Sequence, residues 1–179
     1  MLLDLFPLNS VVFPHQEILL RIFEPRYLRL IKMCHDEARS FGICFIREGE
    51  EVGAPAVPFN IGTSVVIKDF RKVSDNSFYI IARGERRFRI ERFIQEQPHI
   101  KVGIEWLDNE IPSFPGNYSL LRYTTADFLK DKSKIPEDNN ELFGLVGTLI
   151  VSHSWEKQKI LELQDEKVIP ALTRLMEAI

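Results

Sequence analysis

Two cysteines in 179 residues are too few for a disulfide scaffold. Cys34 and Cys44 form neither a CxxC pair nor a zinc pattern, and both lie among apolar residues. Each is expected to be a buried small hydrophobe in a reduced protein. An excess of one charge is also missing. Lysine and arginine number 23 against 26 aspartates and glutamates, a formal net charge of -3. Such a balance sets up no global field that would gather nucleic acid or an anionic membrane. Long apolar runs are absent too. The longest uncharged stretch, residues 142–155, falls short of the ~20 residues a membrane-spanning helix needs. Residues 1–6 are apolar, but with no basic leader and with Pro7 close behind they make a poor signal peptide. A soluble, cytoplasmic protein is expected.

Sequence patterns that carry chemistry are lacking as well. The chain contains no GxxxxGK[ST] phosphate loop, no GxSxG and no HExxH. His15, His35, His99 and His153 have no metal-ligand spacing. No catalytic residue, cofactor or metal is expected, and the chain reads as a binding module rather than an enzyme. What is present is ordinary globular material: 45% hydrophobic and 27% charged residues. A chain of this length buries roughly 70% of its unfolded surface, enough for a core without staples.

The first 110 residues read as strands with one helix among them. Residues 2–8 and 16–23 predict strands, with 11–14 an irregular apolar crossing. Pro7 and Pro14 belong at strand ends or edges. Glu24-Pro25 opens a helix with proline at its first position. Tyr27, Ile31, Cys34 and Ala38 lie at helical spacing on one apolar face. Residues 41–46 form a continuous apolar run, expected to be a buried strand. Residues 47–60, with two glycines and two prolines, predict a long loop. Strands follow at 61–73 and 78–83, joined by the turn 74–77. Gly84-Glu85 is expected to interrupt the chain before strands at 86–94 and 100–107.

From about residue 115 the periods become helical. Leu120, Leu121, Thr124, Phe128 and Leu129 make one stripe; Leu142, Leu145, Val146, Leu149 and Ile150 make another. Ser154 and Asp165 are candidate N-caps for the last two helices. Pro170 predicts a kink or a later start in the final one. Gly144 and Gly147 predict close helix packing, with an oligomer contact as the alternative. Many short strands followed by helices predict an α+β, mainly β fold: a small barrel with one inserted helix, then a C-terminal helical bundle. The expected division is a barrel over residues 1–110 and a helical annex over 111–179.

Several segments in this order resemble the N-terminal substrate-binding domain of the Lon protease family. They are Pro7-Leu8 with 11–14, then 22–27, Gly42, Gly62-Thr63, the run from Arg83 to Ile90, and 102–107. The resemblance implies a PUA-like β-barrel followed by helices, and a role in recognition. ATPase and protease modules of that family have no counterpart in the 179 residues, so a free-standing, non-catalytic domain is expected. The implied partners are unfolded or motif-bearing polypeptides, and a protease or chaperone for which the chain would act as adaptor or regulator. Weak self-association is compatible with this reading.

Two segments offer candidate sites. Loops that bind unfolded clients need exposed apolar surface. Phe13, Phe23, Val52, Val57 and Phe59 are the candidates for it, whereas Phe41, Phe45 and Phe78 read as core. Phe59 equally well plugs the mouth of the barrel. Residues 83–92 hold five arginines against two glutamates. Arg86, Arg87 and Arg89 would form a cationic rim gripping a peptide, or, in the alternative reading, RNA phosphates. The plainer account is a strand with solvated edges and cross-strand ion pairs. A third possibility, an enzyme with a small-molecule site, would need a closed pocket holding a perturbed titratable group.

Overall fold

The computed structural model describes residues 1–53 and 56–179. These form β1 (Leu2–Leu8), β2 (Glu17–Ile22), α1 (Pro25–Asp36), β3 (Phe41–Glu48) and β4 (Val57–Pro58). Then come β5 (Ile61–Ser74), β6 (Ser77–Gln95), β7 (Lys101–Trp106) and four helices: α2 (Tyr118–Leu129), α3 (Asn139–Leu149), α4 (Ser154–Leu161) and α5 (Asp165–Ala178). The fold is a mostly β sheet followed by helices. None of the helices is long and apolar enough to cross a membrane.

The longest strand, β6, is the spine. It pairs with β5 along most of its length, with β2 through Phe78–Arg83 and with β7 through Phe88–Gln95. The expected interruption at Gly84-Glu85 does not occur. Gly84 is needed there for space, because a Cβ on it would lie 2.1 Å from the carbonyl oxygen of Phe13. At this point the chain at 13–16 crosses β6, with His15 N–H donating to Gly84 O at 2.9 Å and Gly84 N–H to Gln16 O at 2.8 Å. β1 pairs antiparallel with β7 and parallel with β3, so the path β1-β7-β6-β5-β3 returns to its first strand.

Helix α1 packs Tyr27, Leu30, Ile31 and Cys34 into a cluster with Phe6, Phe41 and Phe78. Ala38, expected on this face, is exposed beyond the helix end in the left-handed region (φ 51°). Leu30 supplies the missing contact. Both cysteines are free and buried, and burial pushes the Cys34 thiol up to about 11. A second cluster joins all four later helices to Val11, Phe13 and Phe45 of the β-rich half. Ser154 and Asp165 are the first residues of their helices rather than caps. Helix α5 runs through Pro170 without ending.

Gly144 and Gly147 do allow close packing, but against a loop rather than a helix. A Cβ on Gly144 would sit 2.5 Å from His15 O, and one on Gly147 2.8 Å from Gln16 Oε1. Residues 13–16 are therefore held between β6 and α3. Gln16 Oε1 accepts from Phe13 N–H at 3.0 Å and from Lys157 Nζ at 3.1 Å. Lys157 also donates to Gly147 O at 2.8 Å and lies 4.9 Å from the Phe13 ring.

Lys157 is fully buried, and burial lowers its pKa from 10.5 to about 7. An unfolded lysine keeps its proton up to roughly pH 10.4. Between these values the unfolded chain binds more protons than the folded one, so stability rises with pH across that window. We expect the urea midpoint to be higher at about pH 9 than at about pH 6.5, and the rise to vanish in Lys157→Met. An equal rise in the variant would assign it to another group.

Candidate functional site

The arginine run sits on β6, and its three candidates meet different fates. Arg87 is buried, 4% exposed. Its Nε and Nη2 reach the Asp108 carboxylate at 2.7–3.2 Å, and its own backbone N–H donates to the same group at 2.8 Å. Nη1 donates to the carbonyls of Leu161 and Leu163, and Nη2 also meets Asp165 at the start of α5. Arg86 donates twice to Asp108 O, at 2.9 and 2.7 Å, and lies 4.1 Å from the Trp106 ring. Arg89 is exposed and pairs with Glu105 at 3.2 Å. The cationic rim expected from the sequence is therefore not formed. Strand period alone places Arg87 on a face opposite Phe88, but the α4–α5 connection covers that face and turns the arginine into an internal joint.

The aromatic candidates also divide. Phe13 is 1% exposed, packed 5.3 Å from Phe143 and covered by α3, so it is core and not a contact surface. Phe59 is half-buried, stacked on Phe45 at 5.5 Å and edge-on to Trp155 at 5.4 Å. It fills the seam between the sheet and α4. Val57 is exposed and lines a shallow depression with Phe93 and Ile100.

Phe23 and Val52 remain exposed, at 48% and 53%, and they are brought together. Both line a groove floored by Phe6 and Leu8, walled by Tyr27 and Glu51, and bounded by the consecutive residues Leu19 to Phe23 of and just after β2. Arg26 caps the Tyr27 ring at 4.6 Å and pairs with Glu24, whose carboxylate also accepts from Gly53 N–H. Burial is the main reason the Tyr27 hydroxyl is held above its usual range, so it stays protonated at neutral pH. Leu19, 67% exposed, continues the apolar surface around the strand onto a second depression with Tyr79 and Ile81. The arrangement offers apolar contact along the stretch from Leu19 to Phe23. Among the described residues no group of His, Cys, Asp and Glu is placed to hold a metal.

Residues 3–169 match the model of the ATP-dependent protease La (LON) substrate-binding domain. The chain belongs to that family. It is 26% identical over 194 aligned positions to the Lon protease of Dictyoglomus thermophilum, covering 98% of this chain and 24% of that protein. With the Lon protease of Syntrophus aciditrophicus it is 24% identical, covering 92% and 23%. The chain thus spans about a quarter of the length of these relatives. Among solved structures it is similar to a Lon N-terminal domain protein from Xanthomonas campestris, with TM-score 0.71 and 28% identity, covering 99% of this chain and 98% of that one. The N-terminal domain of Mycobacterium avium complex Lon protease shares the fold at TM-score 0.69 and 14% identity, covering 99% and 97%. Within the 179 residues the match is to the substrate-binding domain, a non-catalytic module of the Lon family.

Sequence reasoning overlooked Leu19, Tyr79 and Phe93 on this Lon-type domain. The signal for Leu19 was available: Glu17, Leu19 and Arg21 alternate with Leu20 and Ile22, which places the first three on the outer face. Tyr79 is in register with Arg21 and Arg71, and so shares that face.

Removing one partner of a buried ion pair leaves the other charged and unpaired, at a cost of about 3–5 kcal/mol. Arg87→Leu should lose stability of that order in urea unfolding, whereas Arg89→Ala should change it by less than about 0.5 kcal/mol. Equal effects would contradict the joint assigned to Arg87.

Proposed function

We propose that this chain binds polypeptides, presented unfolded or as exposed segments, as the recognition element of an ATP-dependent proteolytic system. The observation that carries the reading is the apolar groove with half-exposed Phe23 and Val52 on a domain of the Lon substrate-binding family. Its relatives are Lon proteases, and the partner that fits is a protease of that kind, with this chain acting as adaptor or regulator. Residues 1–110 read as a PUA-like barrel, a view supported by the pairing of β1 with both β7 and β3. Residues 111–179 read as a helical annex on it, supported by the core cluster the two halves share.

RNA binding is not part of this proposal. Arg86 and Arg87 donate inside the protein and Arg89 is matched by Glu105, so the three arginines nominated for phosphate contact do not form a free row.

Full burial of an apolar side chain yields about 1.5–3 kcal/mol, and covering the exposed half of two such residues gives about the same in total. The double variant Phe23→Ser and Val52→Ser should therefore weaken binding of a reduced, alkylated model client by about tenfold or more. Its melting temperature should stay close to that of the parent, because neither side chain is core. Unchanged affinity in fluorescence anisotropy would remove this surface from the function.

A further inference from the structure

We propose that the groove receives its polypeptide as an added β-strand on the free edge of β2, with apolar residues at alternate positions. This rests on the polypeptide-binding reading and specifies how the client is held. β2 is hydrogen-bonded to β6 alone, and no strand among the described residues lies on its other side. The bond from Gly84 N–H to Gln16 O fixes the parity of the ladder. Following the register from there, Ile18, Leu20 and Ile22 are the residues that exchange bonds with Ala82, Ile80 and Phe78. Glu17, Leu19 and Arg21 then turn their N–H and C=O groups away from β6, toward open space.

The groove lies on that side. Neighbouring residues of a strand point to opposite faces, so consecutive positions from Leu19 to Phe23 line one depression through their shared backbone edge. Its far wall, formed by Tyr27 and Val52, closes the edge into a slot. A single extended segment fits such a slot, whereas a second copy would bring a whole sheet against that wall. Open strand edges are normally blunted or covered, and an edge left free inside an apolar slot is suited to strand addition.

Side chains and charges then specify the segment. In an antiparallel addition, the residue opposite Leu19 shares its outer face with Tyr79. The residues on either side of it point inward, toward Phe6 and Tyr27, and should be apolar. Glu17 and Arg21 make no ion pair among the described residues. They match a basic residue and an acidic residue placed two positions to either side of the central one. A segment reading Glu-Val-Thr-Val-Lys satisfies every position. This is the pattern of a half-buried strand of another protein, exposed when that protein unfolds.

The test uses the labelled peptide acetyl-Ser-Glu-Val-Thr-Val-Lys-Ser-amide and two N-methylated forms. The central threonine N–H faces β2, and the N–H of the following valine faces away. Methylating the first should weaken binding by at least about tenfold, and methylating the second by less than about twofold. Amide exchange provides the matching readout on the protein. Leu19 and Arg21 should exchange fast in the free chain and slow on adding the peptide, while Leu20 and Ile22 are slow throughout. Equal sensitivity to the two methylations, or unprotected Leu19 and Arg21 amides in the complex, would overturn strand addition and leave polypeptide binding standing. Amides of Leu19 and Arg21 already slow in the free chain would show the edge occupied by a second copy, and would also overturn it. Loss of binding to both the peptide and the model client would overturn the underlying reading as well.

Discussion

The passage of residues 13–16 between β6 and α3 is the constraint on which the rest of the molecule depends. Three glycines make room for it. Gly84 lies on the sheet side, Gly144 and Gly147 on the helix side, and a methyl group at any of them would press into the loop. Once inside, the loop satisfies its own polar groups. His15 and Gln16 exchange backbone bonds with Gly84, and Gln16 accepts from both Phe13 and Lys157. Phe13 ends up against Phe143 and, with Val11 and Phe45, brings side chains of the β-rich half into the helical core. Lys157 is the cost of this arrangement. Its ammonium finds two carbonyl-type acceptors and an aromatic face, but no carboxylate among its hydrogen-bond partners, and burial lowers its pKa.

A second joint forms where Arg87 meets Asp108, Asp165 and the carbonyls of Leu161 and Leu163. A guanidinium presents five donors in a fixed fork, and here they reach the β7–α2 connection and the α4–α5 connection together. With Phe59 stacked on Phe45 and both rings edge-on to Trp155, this fixes how the helices sit on the sheet. The α4–α5 connection meets β6 at Arg87, α1 covers the inner face of its first half, and Leu19 and Tyr79 on the outer face of β2 and β6 stay exposed. Part of the exposed apolar surface, Leu19, Phe23, Val52 and Tyr79, lies around that strand pair.

Family membership assigns the chain to the Lon substrate-binding domains, and the polypeptide binding proposed above is placed on the β2 edge. Among the described residues Glu17, Leu19 and Arg21 turn their backbone groups away from β6, and beside the apolar lining of the groove this suits the extended polypeptide proposed above. Arg86 and Arg87, which a linear reading nominates for the site, belong to the internal framework.

How far the sequence carries is visible residue by residue. Alternation and helical spacing located nearly every strand and helix, because those periods arise from local backbone geometry acting on neighbouring side chains. Proline at the start of α1 and the polar turn at 74–77 are equally local, and both are where the chain predicts them. The order of segments was enough to show the resemblance to the Lon domain. Which side of a strand becomes interior was not legible. Arg87 and Phe13 look exposable in a linear text, yet helices more than fifty residues further along cover them. The same holds for Gly84, whose need for space comes from a crossing loop rather than from a break in β6. Local period and composition thus determined the elements and the family. Burial, the pairing of charges and the open edge of β2 were decided only when distant segments packed together, because each is a property of contacts rather than of neighbours in the chain.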